Sequence, residues 1–187
     1  MDNKSEQSRG QIQLCVGAGA ATFKAVALAS KLRQEGFVVR VAMSRAAQEF
    51  VRPLAFQAVC GGQVVTSSTS MDPDGYASHL RAGESDALVL LPATADLLGK
   101  VAHGLADDAA SLAALCAPVV RLFCPAMNDL MWRNPLVQEN VTRLEKAGWE
   151  RLGPVAGMLG EGYEAIGRMV EPEEILARLL RLCARPR

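Results

Sequence analysis

Short apolar runs of strand length alternate with helix-like stretches along almost the whole chain. Each run leads into a segment with helical residue spacing, and Gly36 and Gly148 stand where two of these helices are expected to stop. Consecutive apolar residues are typical of strands covered on both faces, as in parallel sheets. The pattern predicts a single α/β domain with a doubly wound parallel sheet, flavodoxin-like or Rossmann-like. The main predicted strands are residues 12–16, 38–42, 87–91 and 119–123.

The length and the charge of the chain narrow the possible classes of protein. Its 187 residues, half of them hydrophobic, suffice for one buried core. Lys plus Arg and Asp plus Glu number 20 each, so the charge favours neither nucleic acid nor a membrane as a partner. Residues 1–11 are polar and lack the apolar centre of a secretory signal. We therefore expect a disordered lead-in at residues 1–11 and one domain at residues 12–187.

Cysteine usage predicts a reduced, cytoplasmic protein without a metal site. The cysteines are odd in number and far apart, and no Cys-x-x-Cys pair occurs. With His79 and His103 as the only histidines, a zinc cluster is not expected. The cysteines are Cys15, Cys60, Cys116, Cys124 and Cys183.

Small and hydroxylic residues follow three of the predicted strands. Ligands of open α/β sheets bind beyond the carboxyl ends of the strands, and a mononucleotide such as FMN would fit there. Each feature alone also suits a tight turn or a helix cap. The first turn is not the GxGxxG fingerprint, because Thr22 stands in place of its third glycine. The residues are Gly17 and Gly19 after the first strand, Ser44 after the second, and Ala93 and Thr94 after the strand that Pro92 is expected to close.

The run Cys-Pro-Ala-Met-Asn-Asp-Leu-Met-Trp-Arg-Asn-Pro at residues 124–135 stands at a further strand end. An amide such as that of Asn128 can hold a carboxylate or a flavin edge, and Met127 and Met131 can wall a dry pocket. The same residues also suit an ordinary turn with core side chains, before a helix expected to begin near Pro135.

Several motifs give the chain a family resemblance. They include residues 43–51, His79-Leu80, the Pro-Ala-Thr-Ala-Asp run at 92–96, the run at 124–135, and Gly-Arg-Met at 167–169. Through these motifs, almost the whole chain resembles the flavin-dependent cysteine decarboxylases, most closely those that act on phosphopantothenoylcysteine.

The resemblance implies an enzyme of coenzyme A biosynthesis that converts phosphopantothenoylcysteine to phosphopantetheine. In such enzymes FMN oxidises the terminal cysteine to a thioaldehyde, carbon dioxide leaves, and the reduced flavin returns the electrons. The resemblance also implies a homo-oligomer, either a trimer or an assembly of trimers, with FMN at subunit interfaces.

The same resemblance implies roles for single residues. His79 matches the histidine that assists the oxidative half-reaction. Asn128 matches the asparagine that holds the substrate carboxylate, with Met127 and Met131 in the same pocket. The residues expected to contact FMN are Gly17, Gly19, Ser44, Ala93, Thr94 and Met127.

Glu161 stands where the resembled family has a flap cysteine, the proton donor of the reductive step. No cysteine lies between Cys124 and Cys183, so no shift of the alignment supplies one. Glu161 can hold a proton at neutral pH only if it becomes buried, whereas the phenol of Tyr163, which is also expected to contact the substrate, is already protonated. Three interpretations follow: a complete decarboxylase with another acid, an oxidative peptidyl-cysteine decarboxylase that stops at the enethiol, and a flavin-binding regulatory subunit without turnover.

Overall fold

The computed structural model describes residues 8–184, which form one main parallel sheet. The strand order is β3-β2-β1-β4-β5-β6, so the order reverses between β1 and β4. This confirms the predicted doubly wound α/β class. The strands are β1 (Gln11–Val16), β2 (Val38–Met43), β3 (Val64–Val65), β4 (Ala87–Ala93), β5 (Arg121–Pro125) and β6 (Glu150–Arg151).

Helices cover the sheet on both faces, and each face has its own apolar cluster. Alternate residues of a strand point to opposite faces, so Leu14 belongs to one cluster and Cys15 to the other. The first cluster lies under α1, α3 and α8, and the second under α4, α5 and α7. The helices are α1 (Thr22–Gln34), α2 (Ala47–Phe50), α3 (Pro53–Cys60), α4 (Ala95–Ala102), α5 (Ala109–Leu115), α6 (Asp129–Trp132), α7 (Pro135–Lys146) and α8 (Pro172–Cys183).

The strands β4 and β5 differ most from the predicted strand bounds. β4 continues through Pro92 to Ala93, so the expectation that Pro92 closes this strand is wrong. The register between β4 and β5 is irregular between Leu90 and Ala93, and the proline, which has no N–H to donate, falls within that irregularity. β5 begins at Arg121. Val119, the predicted first residue of this strand, is exposed and lies before the sheet.

The strand β1 begins one residue before the predicted domain boundary at residue 12. Gln11 is the first residue of β1, and its backbone N–H donates to Asp86 at 2.7 Å. Most of the disordered lead-in that the sequence predicts at residues 1–11 falls on residues 1–7, which lie outside the described residues.

Two elements were not predicted. The single helical turn α6 precedes α7, which begins at Pro135 as expected. The glycine-rich stretch at residues 153–167 contains an antiparallel hairpin of β7 (Val155–Met158) and β8 (Glu164–Arg168), which is separate from the main sheet.

Residues 66–86 connect β3 to β4 without an α-helix. Their regular features are a 3-10 turn at Leu80–Ala82 and an isolated antiparallel bridge between Met71 and Ala77. Between residues 8 and 184, no helix combines the length and the apolar character needed to cross a membrane. Over the same residues, no group of three or more His, Cys, Asp or Glu side chains is placed to hold a metal ion.

Candidate functional site

A cavity of about 500 Å³ lies at the carboxyl ends of β1, β4 and β5. Its walls are the turns that follow these strands and one side of the β7–β8 hairpin. The strand order reverses here, which is the usual ligand site of an open α/β sheet, and the volume is that of a small-molecule pocket. The predicted site residues on its wall are Gly19, Thr94, Met127, Asn128, Met131 and Glu161.

The turn after β1 is packed tightly against β4. A Cβ atom added at Gly17 would lie 2.3 Å from the backbone oxygen of Pro92, so a side chain there would force the two strand ends apart. The buried Thr22 hydroxyl donates to the Gly19 oxygen at 2.7 Å and closes the turn. Gly17 therefore shapes the cavity from behind its wall, whereas Gly19 lies on the wall.

Three further residues predicted to contact the cofactor, Thr94, Ala93 and Ser44, differ in their distance from the cavity, and of these only Thr94 lies on its wall. Thr94 is on the wall, and its hydroxyl oxygen accepts from the Leu97 N–H at 3.4 Å at the start of α4. Ala93 is fully buried behind the wall. Ser44 is buried at the end of β2 and is not on the wall, and its Oγ accepts from the Ala47 N–H at 3.1 Å. This bond closes the turn before α2, whose N-cap residue is Ala46 and not Ser44.

Asn128 caps a helix and also faces the cavity. Its Oδ1 accepts from the Leu130 N–H at 2.9 Å and starts α6. Its Nδ2 donates to the Tyr163 hydroxyl at 3.0 Å. A side-chain NH₂ group carries two N–H donors, so the amide can hold Tyr163 and also donate to a ligand oxygen in the cavity.

The hairpin is docked on the turn that contains Asn128. The backbone N–H of Met127 donates to the Gly167 oxygen at 3.0 Å, and the Tyr163 hydroxyl donates to Asp129 Oδ1 at 2.6 Å. A Cβ atom at Gly167 would lie 2.2 Å from the Met127 oxygen, so this close approach requires glycine. Asp129 is buried and forms an ion pair with Arg133.

Tyr163 has a docking role in this arrangement. The hydrogen bond to the Asp129 carboxylate is the main cause that raises the pKa of the Tyr163 phenol above its usual value, and it outweighs the hydrogen bond from the Asn128 amide, which lowers it. Its proton is thus held by Asp129. Tyr163 is not on the cavity wall of its own chain, but its hydroxyl is bonded to Asn128, which is on that wall.

Glu161 occupies the tip of the hairpin, between Gly160 and Gly162, and lies on the cavity wall. None of the five cysteines, all of which fall within residues 8–184, is on that wall. Cys124 is the nearest to it in the sequence, but it is fully buried, and burial raises the pKa of its thiol far above the usual range. The chain therefore presents a carboxyl group, and no thiol, to the cavity.

Two cationic side chains on the wall were not predicted as site residues. Lys24 is buried, and its Nζ donates to Glu171 at 3.0 Å and to the Met169 oxygen at 3.2 Å. Arg168 forms an ion pair with the same carboxylate. The Gly-Arg-Met motif marked Arg168 in the sequence, but the meeting of Arg168 and Lys24 at Glu171 depends on the fold.

His79 is not on the cavity wall. The turn that follows it packs at the opposite, amino-terminal edge of the sheet, where Gln11 Nε2 donates to Ser85 Oγ at 3.0 Å. His79 Nδ1 is buried without a hydrogen-bond partner among the described residues. One chain therefore does not bring His79 and Asn128 together.

The matches to known proteins agree with this geometry. The chain matches the Flavoprotein family model over residues 1–183 and belongs to that family. It is 39% identical over 166 residues to the coenzyme A biosynthesis bifunctional protein CoaBC of Bacillus subtilis (strain 168), covering 88% of this chain and 41% of that protein. It is also 39% identical over 169 residues to CoaBC of Escherichia coli (strain K12), covering 89% and 41%. The chain spans about two fifths of the length of these curated relatives.

Solved structures confirm the fold. One is a cysteine-to-serine variant of PPC decarboxylase complexed with pantothenoylaminoethenethiol, with a TM-score of 0.79 at 25% identity over 91% of this chain and 96% of that one. Another is the FMN-dependent cysteine decarboxylase SpaF, with a TM-score of 0.77 at 30% identity over 96% and 98%. The resemblance inferred from the motifs is thus confirmed.

Proposed function

We propose that this chain is an FMN-dependent decarboxylase that acts on the carboxylate of a terminal cysteine. The substrate is phosphopantothenoylcysteine, and the setting is coenzyme A biosynthesis, as the names of the related proteins indicate. The observation that carries the proposal is the Asn128 amide on the wall of the cavity at the reversal of the strand order.

The residues of the cavity fit FMN. The turns after β1 and β4 present small side chains to the cavity, against which a flat ring can lie. Met127 and Met131 supply an apolar wall on the other side. Gly19, Thr94 and Met127 would hold the cofactor directly, while Gly17, Ala93 and Ser44 lie off the wall and would act only through the turns that they hold in place. When bound, FMN supplies the uptake and return of an electron pair.

Asn128 has the donor geometry for the substrate carboxylate. Its Oδ1 and one amide N–H are fixed by α6 and by Tyr163, so the side chain is oriented before the substrate arrives. A donor held in a largely apolar cavity binds the carboxylate anion and fixes its orientation. Decarboxylation carries the negative charge away from this group, so Asn128 acts by positioning the substrate. Met127 and Met131 keep water away from the carboxylate.

His79 can serve this cavity only from another copy of the chain, because it lies away from its own cavity. This supports the proposed homo-oligomer, a trimer or an assembly of trimers. Exposed apolar side chains around the hairpin and α6 support the same proposal, because a surface patch of this kind marks an interaction site. They are Phe23, Leu130, Met131, Met158 and Ile166.

Glu161 decides which product leaves. If its carboxyl group delivers a proton, the product is the saturated thiol. If it does not, the reaction stops at the enethiol. Glu161 is better placed than Tyr163 to act as the acid, because the Tyr163 proton is held by Asp129.

The setting that we propose is cytoplasmic. All five cysteines are free, as a reducing compartment keeps them.

The proposal is tested with the purified protein and phosphopantothenoylcysteine. We expect a flavin spectrum, release of carbon dioxide, and a product that mass spectrometry identifies as phosphopantetheine or as its enethiol, which is lighter by two hydrogen atoms. A colourless protein that takes up no FMN would exclude the proposal. Flavin binding without carbon dioxide release from this substrate or from a peptide with a terminal cysteine would also exclude it.

A further inference from the structure

The connection between β3 and β4 is held by side chains more than by regular secondary structure. Residues 66–86 contain one 3-10 turn and one isolated bridge. Connections of this length without a helix or strand are uncommon in compact domains and are usually functional. This connection carries His79, so its conformation decides where that imidazole stands.

The Asp72 carboxylate is the centre of the side-chain network in this connection. The residue is 8% exposed and accepts from Ser78 Oγ at 2.7 Å and from Arg81 Nε at 3.2 Å. Arg40 Nη2 donates to its two oxygens at 3.1 and 3.0 Å. Ser78 and Arg81 lie on either side of His79 in the sequence, and Arg40 belongs to β2. One carboxylate thus ties both flanks of His79 to the central sheet.

The ionised form of Asp72 is the one that the network requires. Burial alone would raise the pKa of the carboxyl group, but the Ser78 hydrogen bond and the Arg40 charge outweigh burial and lower the pKa. Hydrogen bonds between charged groups are stronger than neutral ones, so the anchor to β2 is firm. Arg81 is further fixed over the Tyr76 ring, 4.4 Å from its centre.

The direction of the His79 ring depends on its backbone. Its Nδ1 is buried and has no hydrogen-bond partner within residues 8–184, so no side-chain bond at that atom orients the ring. Its backbone is fixed by neighbouring bonds, since the Ser78 N–H donates to the Ser70 oxygen and the Ala82 N–H donates to the His79 oxygen, both at 3.2 Å. The buried Nδ1 leaves Nε2 as the nitrogen that can meet a ligand.

We infer that Asp72 is a positioning residue for His79: its carboxylate locks Ser78 and Arg81 to Arg40 of β2 and so fixes the direction in which the imidazole points. The inference rests on the proposed role of His79 in decarboxylation. Asp72 is not on the wall of the cavity, so within one chain it acts through His79.

Asp72→Asn, compared with Asp74→Asn in the full-length protein, tests this inference. Asp74 lies in the same connection and pairs with the same Arg81, but its side chain is 57% exposed. We expect Asp72→Asn to lower kcat per bound flavin by about tenfold to a hundredfold with little change in KM, as misplacement of a catalytic group by about 1 Å does. We expect Asp74→Asn to keep the wild-type kcat.

Hydrogen–deuterium exchange at imidazole C2, followed by mass spectrometry, gives a second readout that needs no turnover. His103 serves as the internal reference, because its Nδ1 lies 2.9 Å from the Gly99 oxygen at the end of α4, away from this network. In Asp72→Asn, exchange at His79 is expected to accelerate severalfold, while exchange at His103 stays at its wild-type rate.

An unchanged kcat, or an unchanged exchange rate at His79, in Asp72→Asn would overturn the inference. If that variant does not fold, Ser78→Ala removes one bond of the network and is expected to give a smaller change of the same kind in both readouts. No change in Ser78→Ala would then overturn it. If the wild-type protein releases no carbon dioxide, the proposed function fails, and the exchange rates alone still decide whether Asp72 positions His79.

Discussion

The two walls of the cavity are held in different ways. The sheet-edge wall, residues 125–132, continues directly from β5, whose last four residues are buried in the main sheet. The hairpin wall, β7 and β8, lies outside that sheet, and most of its residues are exposed or half-buried. Hydrogen bonds from Met127 to Gly167, from Asn128 to Tyr163 and from Tyr163 to Asp129 join the two walls.

The proposed chemistry is divided between the two walls: one holds the substrate carboxylate, and the other carries the candidate proton donor. Asn128 holds the carboxylate from the rigid wall, where a small displacement would be costly. Glu161 stands at the exposed tip of the hairpin, flanked by two glycines, where a residue can change without disturbing the core. Glu161, the residue that departs from the family resemblance, therefore lies on the hairpin wall, where a substitution disturbs the fold least.

The largest effect is expected at Asn128. Asn128→Ser keeps an oxygen for the helix cap but removes the amide donor, so carbon dioxide release should fall by about a hundredfold, the scale expected when a group that orients the substrate is lost. Asn134→Ser is the matched control, because Asn134 caps α7 with the same 2.9 Å bond, to the Leu136 N–H. Equal rates in the two variants would show that Asn128 only caps its helix.

Gly167 tests how the hairpin is attached. Gly167→Ala places a Cβ atom against the Met127 oxygen and should lower the free energy of unfolding by about 1–3 kcal/mol, as overpacking does. Gly160→Ala is the control in the same hairpin, because no atom lies within 4 Å of an added Cβ there. Urea titrations of the two variants measure the difference, and equal stabilities would mean that the hairpin is not held at Gly167.

The fold and the sheet-edge wall could be predicted from the sequence because local patterns encode them. Strands buried on both faces appear as apolar runs, and Asn128 stands where one such run ends. The predicted end of β4 at Pro92 was wrong. A proline normally interrupts the hydrogen bonds of a strand, but here the register of β4 is irregular at Pro92, so the strand continues past it.

The hairpin wall could not be predicted in the same way. Its strands are short, rich in glycine and mostly exposed, so no alternation of apolar residues marks them. Its attachment depends on contacts between distant residues, such as Tyr163 with Asp129 and Gly167 with Met127. The network around Asp72 was missed for the same reason, because Arg40 meets it only in the folded sheet.

A smaller effect is expected from Tyr163→Phe, which removes both bonds of the hydroxyl. Decarboxylation should slow by about threefold to tenfold, the value of a neutral hydrogen bond. The Asp129 hydrogen bond raises the pKa of Tyr163, so the docking that it contributes is present below pH about 10 and is lost as the pH rises through the raised value. An ultraviolet titration should show tyrosinate forming from Tyr163 above the ordinary tyrosine pKa in the wild type, and this deprotonation step should be missing in the variant. If the step that Tyr163→Phe removes lies at the ordinary value, the docking role is contradicted.

The most direct measurement is the amount of carbon dioxide and the mass of the product from one reaction of the Glu161→Gln variant. If Asn128 serves decarboxylation and Glu161 serves only the later proton delivery, carbon dioxide release stays near the wild-type rate while any saturated product is replaced by the enethiol. Glu161→Cys, which restores a thiol to the cavity, should shift the product towards the saturated form. A loss of carbon dioxide release in Glu161→Gln as large as in Asn128→Ser would contradict this division between the walls.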